Sequence, residues 1–317
     1  MKYEETPLFQ RLLSLSPFSV HELSLIIFTA PKRYKNHYIV KRNNRGLRLI
    51  SQPTAELKHL QRLLVKNELA RLPINDSAVG YRTGLSIKNH AAPHANAKYL
   101  LKLDFKNFFP SIKEDALYYR LRRDAGFSEM ELWLLVQLLC RWDKTEQTLQ
   151  LSIGAPSSPF ISNYLMWEFD GKIGEICNQN NVRYTRYADD LAFSTSSPKI
   201  LDVIHHEVKE LLIKLDYLNL KLNEEKSVNV SKKNNRNLVG LILANDGNSS
   251  VGRDKKRIIR ATMHHLSMGQ LSTEDTAKLK GQLAFINAID PKFVRDICAK
   301  YGFSHLKEIS SLHIVRK

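Results

Sequence analysis

Three cysteines, Cys140, Cys177 and Cys298, stand far apart in the chain, and none belongs to a CxxC pair. Their odd number and wide spacing exclude a disulfide framework and speak against a zinc site or a redox dithiol, so they read as reduced core thiols. No apolar run approaches the roughly 18 residues of a membrane span. The opening MKYEETPLFQ carries acidic residues where a secretory leader has its apolar core. These absences predict a cytoplasmic protein with no membrane partner. Internal repeats, low-complexity tracts and Gly/Ser linkers are lacking as well, which argues for one compact unit with subdomains built from interleaved segments. With 43% apolar residues, 317 residues can bury one large core or two to three connected ones.

Acidic charge is also scarce. Against 48 Lys+Arg there are 32 Asp+Glu, a formal net charge of +16, and residues 231–317 alone hold 16 basic and 7 acidic residues, net +9. A field of this sign concentrates polyanions and favours phosphate contacts that release counterions. On charge alone, a surface that merely aids solubility is an equal reading.

What is present falls into three stretches. In AELKHLQRLLVKNELAR, residues 55–71, Leu57, Leu60, Leu63, Leu64 and Leu69 recur at near-helical spacing between charges, the pattern of an amphipathic helix. YLLKLDF, residues 99–105, and VRYTRYADDLAFST, residues 182–195, are aromatic and alternating, which predicts strands, the second folding back at Ala188–Asp189. From about residue 253 the pattern is helical again, in RDKKRIIRATMHHLSM. Strands in the middle and helices at both ends predict an α+β fold.

Asp104 follows the apolar YLLKL, so a buried strand delivers its carboxylate to a sheet edge, and Asp189 and Asp190 stand at the turn between two apolar strands. Carboxylates beside a core are costly unless a cation neutralises them. Three of them on neighbouring strands form a hard-oxygen cluster suited to Mg²⁺, and two such ions can drive an in-line phosphoryl transfer. Taken singly, a DD pair is ordinary turn chemistry and an Asp at a strand end an ordinary cap.

The surroundings decide between these readings. YTRYADDLAFS, with LDFKNFFPSI upstream and GAPSSPFISNYL between them, resembles the reverse transcriptases over residues 40–300. The resemblance implies a right-hand polymerase fold with palm, fingers and thumb. The divisions it suggests are residues 1–98 for N-terminal helices and fingers, 99–112 for the first palm strand, 113–149 for a helical insertion, 150–244 for the palm with its YADD hairpin, and 245–317 for a basic helical thumb.

By the same resemblance Asp104 and Asp189 are metal ligands, with Asp190 beside them and the Phe105 carbonyl as a further oxygen, for two Mg²⁺ ions or Mn²⁺. Phe109 falls where the family places the bulky residue that excludes a ribose 2′-hydroxyl, with the adjacent Phe108 as the other candidate. Gly154-Ala155-Pro156-Ser157-Ser158-Pro159 resembles the loop beneath the template and the incoming nucleotide. Ile153 replaces the Gln that usually precedes this Gly, so contacts there are expected from backbone, Ala155 and Pro156 included. Residues 41–53, KRNNRGLRLISQP, resemble the triphosphate clamp, with Arg48 as first choice for a bidentate phosphate contact and Lys41 as second. Lys226 occupies the position of the palm lysine that protonates the leaving pyrophosphate.

Within the family, the short chain without maturase, integrase or RNase H regions looks most like a retron enzyme. Asn89-His90-Ala91-Ala92-Pro93-His94 resembles the NAxxH element with its Asn one place early, and Leu238-Val239-Gly240 keeps the Gly of the VTG element. The resemblance implies RNA contacts at Asn89, His90 and His94 and on the thumb at Arg253, Lys255, Lys256, Arg257 and Arg260, since folded RNA is read through shape and phosphates. It further implies dNTP substrates, a dedicated structured non-coding RNA copied into DNA from the 2′-hydroxyl of an internal guanosine, and a role in antiphage defence beside an effector protein. A group II intron-like or abortive-infection reverse transcriptase is the rival within the family. A non-catalytic RNA-binding scaffold is the rival outside it, opposed by the presence of all three carboxylates.

Overall fold

The computed structural model describes residues 2–41, 46–244 and 247–311, the side chains of 310 and 311 excepted. Its centre is a four-stranded antiparallel sheet in the order β6-β7-β3-β8, formed by β3 (Tyr99–Asp104), β6 (Arg183–Tyr187), β7 (Asp190–Thr195) and β8 (Val228–Ser231). Both alternating segments are therefore strands, as their period of two predicts.

The alternation sends side chains to two different cores. On one face Leu101, Leu103, Phe105, Leu191 and Phe193 join the N-terminal helices, Leu8, Phe9, Leu57 and Leu60 among them. On the other, Leu100 and Ala192 meet Leu238, Leu241, Ile259, Met263 and Leu283 of the C-terminal region. The sheet is held from both sides, so its edge is a rigid platform. All three cysteines are free and buried.

Around the sheet stand smaller units. Strands β1 (Tyr34–Val40) and β2 (Leu47–Pro53) form a hairpin ahead of the helix Ala55–Leu64. That helix continues as a π-helical turn over Val65–Leu69, where the buried Glu68 is held by Arg11 through bonds of 2.7 and 2.9 Å. Capping boxes at Ser19/Glu22 and Ser128/Glu131 start the helices Val20–Thr29 and Glu129–Leu139. Strands β4 (Arg141–Asp143) and β5 (Thr148–Gln150) pair with each other. Strands β9 (Asn237–Leu238), β10 (Leu241–Leu243) and β11 (Ser249–Ser250) form a third sheet. The expected division at 149/150 runs through β5, and that at 244/245 separates the paired β10 and β11. Among the described residues no single helix is long and apolar enough to cross a membrane.

Candidate active site

Asp104 ends β3 and Asp190 begins β7, and the antiparallel register sets the two directly opposite each other. Residues so paired lie about 4.5–5.5 Å apart at Cα. Tyr187 pairs with Asp190, which leaves Ala188–Asp189 as a two-residue turn. Ala188 takes φ +58°, a conformation that hairpin turns ordinarily give to glycine. The Phe105 N–H donates to the Asp189 carbonyl at 3.2 Å, tying the strand that carries Asp104 to the turn.

The electrostatics show three carboxylates crowded together. Burial, then the charges of Asp189 and Asp104, push Asp190 up to about 7. Asp189 is raised as well, by burial and by Asp104. Lys226 Nζ lies 2.8 Å from Asp104 Oδ2, and Asn223 Nδ2 donates to the same oxygen at 3.3 Å. Among the described residues no three His, Cys, Asp or Glu side chains gather closely enough to chelate an ion unaided. Mg²⁺ does not require this, because it binds one or two carboxylates and completes its shell with water and substrate phosphates. Mutually repelling carboxylates, Asp104 buried and Asp189 and Asp190 half-buried, are a donor set that fits such an ion.

The strained turn is supported from beneath. Arg186, fully buried, forms a two-pronged ion pair with the equally buried Asp170, with bonds of 2.8 and 2.6 Å. Its Nη1 donates to the Ala188 carbonyl at 3.1 Å and to Asn163 Oδ1 at 3.2 Å. Gly80 packs on the turn, where an added Cβ would stand 2.8 Å from the Ala188 nitrogen. Reading the sequence missed these supporting residues. Arg186 in YTRYADD and Gly80 in VGYRTG offered a local signal, whereas Asp170 and Asn163 reach the turn only through the fold.

The loop expected beneath the nucleotide packs against β2. Gly154 has φ +120°, and a Cβ there would meet the Ser51 carbonyl at 2.8 Å, so only glycine lets the loop approach β2. Ser51 N–H donates to the Ile153 carbonyl at 2.8 Å, which makes Ile153 a backbone contact between loop and β2. Ala155 is buried and Pro156 half-buried beside it. Arg48 is exposed on β2, and its charge acts on Asp189. Lys41 is half-buried and its N–H donates to the Gly46 carbonyl at 2.8 Å; residues 42–45 of the expected clamp lie outside the described residues. The two phenylalanines separate clearly: Phe108 is buried and stacks on Phe105 at 5.6 Å, while Phe109 is half-exposed.

Two expected RNA contacts are corrected. His90 and His94 are wholly buried. Thr185 Oγ1 lies 2.7 Å from His90 Nδ1 and 2.8 Å from His94 Nε2, and His94 Nδ1 lies 2.7 Å from Ser194 Oγ. Burial lowers both rings to about 3, so they are neutral and offer no charge to a phosphate. They tie the helix Ile87–Ala91 and its extension to β6 and β7. Asn89 is exposed, but its side chain caps that helix by accepting from Ser86 N–H at 2.9 Å.

The basic segment forms the helix Arg253–Ser267. Arg253, Arg257 and Arg260 are exposed on it. Lys256 is tied down by Asp290 at 2.6 Å, and Lys255 lies over the Phe285 ring at 4.5 Å. Arg257 pairs with the exposed Asp254 at 3.3 Å and Arg260 lies over the Phe293 ring at 5.2 Å, but these arginines stay exposed where the two lysines are half-buried, so the exposed charge of this face is carried by the arginines.

Comparison with known proteins agrees with this geometry. Residues 39–243 match the family model of reverse transcriptase, RNA-dependent DNA polymerase. The retron Ec83 reverse transcriptase of Escherichia coli is 36% identical over 292 residues, covering 91% of this chain and 93% of that protein. The retron Ec73 reverse transcriptase, also of Escherichia coli, is 34% identical over 303 residues, 90% of this chain and 92% of that one. Among solved structures, apo telomerase from Candida tropicalis superimposes with a TM-score of 0.51 at 13% identity, over 90% of this chain and 59% of the telomerase chain. The chain thus spans about three fifths of that telomerase, and the likeness bears on the fold alone. The right-hand polymerase fold, the paired aspartates at its palm edge and the family match lead to one conclusion: the chain belongs to the retron reverse transcriptases and is an RNA-directed DNA polymerase.

Proposed function

We propose that this enzyme copies a dedicated structured non-coding RNA into DNA, starting from the 2′-hydroxyl of an internal guanosine. The product is a branched RNA–DNA hybrid, made in the cytoplasm and serving antiphage defence together with an effector protein. The observation that carries the catalytic part is the pairing of Asp104 with Asp190 beside Asp189. Similarity to retron enzymes over nine tenths of the chain supports the rest. Sequencing the nucleic acid that co-purifies with the enzyme tests it. A DNA strand joined to an RNA guanosine 2′-oxygen is expected, and linear DNA free of RNA would overturn the priming reading.

In this reading Asp104, Asp189 and Asp190, with the Phe105 carbonyl, hold two Mg²⁺ ions, or Mn²⁺, which when bound activate the priming hydroxyl and stabilise the leaving pyrophosphate. Arg48, with Lys41, grips the triphosphate through charge-assisted hydrogen bonds. Ala155 and Pro156 shape the floor on which the nucleotide rests. Lys226 exchanges Asp104 for the pyrophosphate when substrate is present, and donates its proton there.

Phe109 excludes the 2′-hydroxyl of a ribonucleotide by volume. Phe109→Val is therefore expected to admit ribonucleotides, lowering the dNTP/NTP ratio of kcat/KM by on the order of a hundredfold, since the discrimination is steric rather than built on hydrogen bonds. An unchanged ratio in primer extension would remove Phe109 from the pocket wall.

The arginine face of the Arg253–Ser267 helix anchors the RNA. Changing Arg253, Arg257 and Arg260 together to Gln is expected to weaken binding of the cognate RNA. It should also flatten the salt dependence by about 0.7–0.9 in slope per lost phosphate contact. Extension of a saturating, pre-annealed template–primer should survive. Wild-type affinity and slope in a filter-binding titration would make these charges a solvated face.

A further inference from the structure

Tyr81 is held in a conformation that its own packing does not explain. Its φ is +62°, in the left-handed region that disfavours a bulky side chain, yet its ring is half-exposed, so burial does not offset the strain. The segment leading to it is built into the sheet. Arg186 N–H donates to the Ser77 carbonyl at 2.7 Å, and Val79 N–H donates to the Arg186 carbonyl at 2.8 Å. Asn163 Nδ2 then holds the Gly80 carbonyl at 2.8 Å, while Gly80 sits on the YADD turn with no room for a side chain. The chain has one way to continue, and it turns the Tyr81 ring outward.

That ring lies 6.2 Å from Phe109 and 6.2 Å from Tyr187, between the two. Phe109 is the residue assigned above to the sugar of the incoming nucleotide. Tyr187 leads directly into the turn bearing Asp189 and Asp190. In the polymerase reading of the site, a ring between them would face the sugars of the newly joined step.

We propose that Tyr81 is a specificity-determining residue: its ring is the middle plate of a three-ring surface, Phe109–Tyr81–Tyr187, that holds the sugar edge of the newly formed template–deoxynucleotide pair. The inference rests on the polymerase reading of the site. A contact to sugar edges is tolerant of base identity but sensitive to pair width. It favours a correctly paired dNTP over a mispaired one.

The test is single-nucleotide primer extension with the full-length enzyme and its Tyr81→Phe, Tyr81→Ala and Tyr81→Gly variants, beside their melting temperatures. Loss of the ring in Ala and Gly is expected to raise KM for the correct dNTP about tenfold, as for other aromatic contacts to nucleic acid, with kcat little changed and misinsertion increased. Tyr81→Phe recovers most of that loss. Glycine accepts φ +62° without strain, so Tyr81→Gly should melt no lower than Tyr81→Ala while sharing its defect. A Gly variant with wild-type KM and selectivity would overturn the proposal, as would KM values in Ala and Gly that follow stability alone. A wild-type enzyme that extends no primer would instead overturn the polymerase reading beneath it.

Discussion

Asp189→Asn is expected to lower DNA synthesis by on the order of a thousandfold, because an amide oxygen does not replace an anionic ligand at a site that concentrates charge in the transition state. Binding of the cognate RNA should be unchanged. Primer extension by purified protein measures the first and filter binding the second, and near wild-type extension would sink the assignment of the site. Stability should respond in the opposite sense at the neighbouring position. Asp190 titrates near 7 in the metal-free protein, against an ordinary value of 3.8, because burial and its two acidic neighbours disfavour its charge. A carboxyl raised on folding contributes stability that is present below about pH 4 and is lost as pH rises through 7. Without divalent ions, Asp190→Asn should therefore gain in melting temperature relative to wild type as pH goes from 4 to 8. A difference that stays flat over this range would show that the carboxylates do not repel each other as the geometry implies.

The second large effect is expected at Arg186, which is fully buried beneath the turn. Arg186→Met leaves Asp170 buried without its cationic partner, with only the Tyr184 hydroxyl still donating to it, and the Ala188 carbonyl without its donor. Removing one member of a buried ion pair costs about 3–5 kcal/mol. Urea unfolding should show this as a lower midpoint, and a change below about 1 kcal/mol would mean that the pair carries little weight. Replacing both partners, Asp170→Leu with Arg186→Met, removes the uncompensated charge and should restore much of the stability. DNA synthesis should remain impaired in the double variant, since the carbonyl of the strained Ala188 then lacks its donor. That split between stability and activity distinguishes a positioning role at the turn from simple support of the fold.

Local pattern was enough to find the strands that carry the aspartates and two of the helices. Alternation in YLLKLDF and RYTRYADDLAFST marks β3, β6 and β7 because a strand's two faces are a property of the chain itself. Leucine spacing marks the helix Ala55–Leu64 for the same reason, but not its passage into a π-helical turn at Val65–Leu69. That turn surrounds Glu68, and its partner Arg11 lies 57 residues away. His90 and His94 taught the same lesson in the opposite direction. Read along the chain, their resemblance to the NAxxH element suggests an exposed contact to RNA. In the fold Thr185 and Ser194 meet both ring nitrogens of His94, and Thr185 meets Nδ1 of His90, so buried hydroxyls take the place of water there.

The sequence by itself determined an α+β chain with three acidic residues near strand ends, because residue type and short-range periodicity carry that information, and its resemblance to the reverse transcriptases added the polymerase reading. Only the tertiary structure decided that Asp104 stands opposite Asp190, that Phe109 rather than Phe108 faces outward, and that Arg186, Asp170 and Gly80 hold the turn. Those facts depend on register and contact between segments tens of residues apart, and such pairing is settled by the packing of the whole chain rather than by any stretch of it.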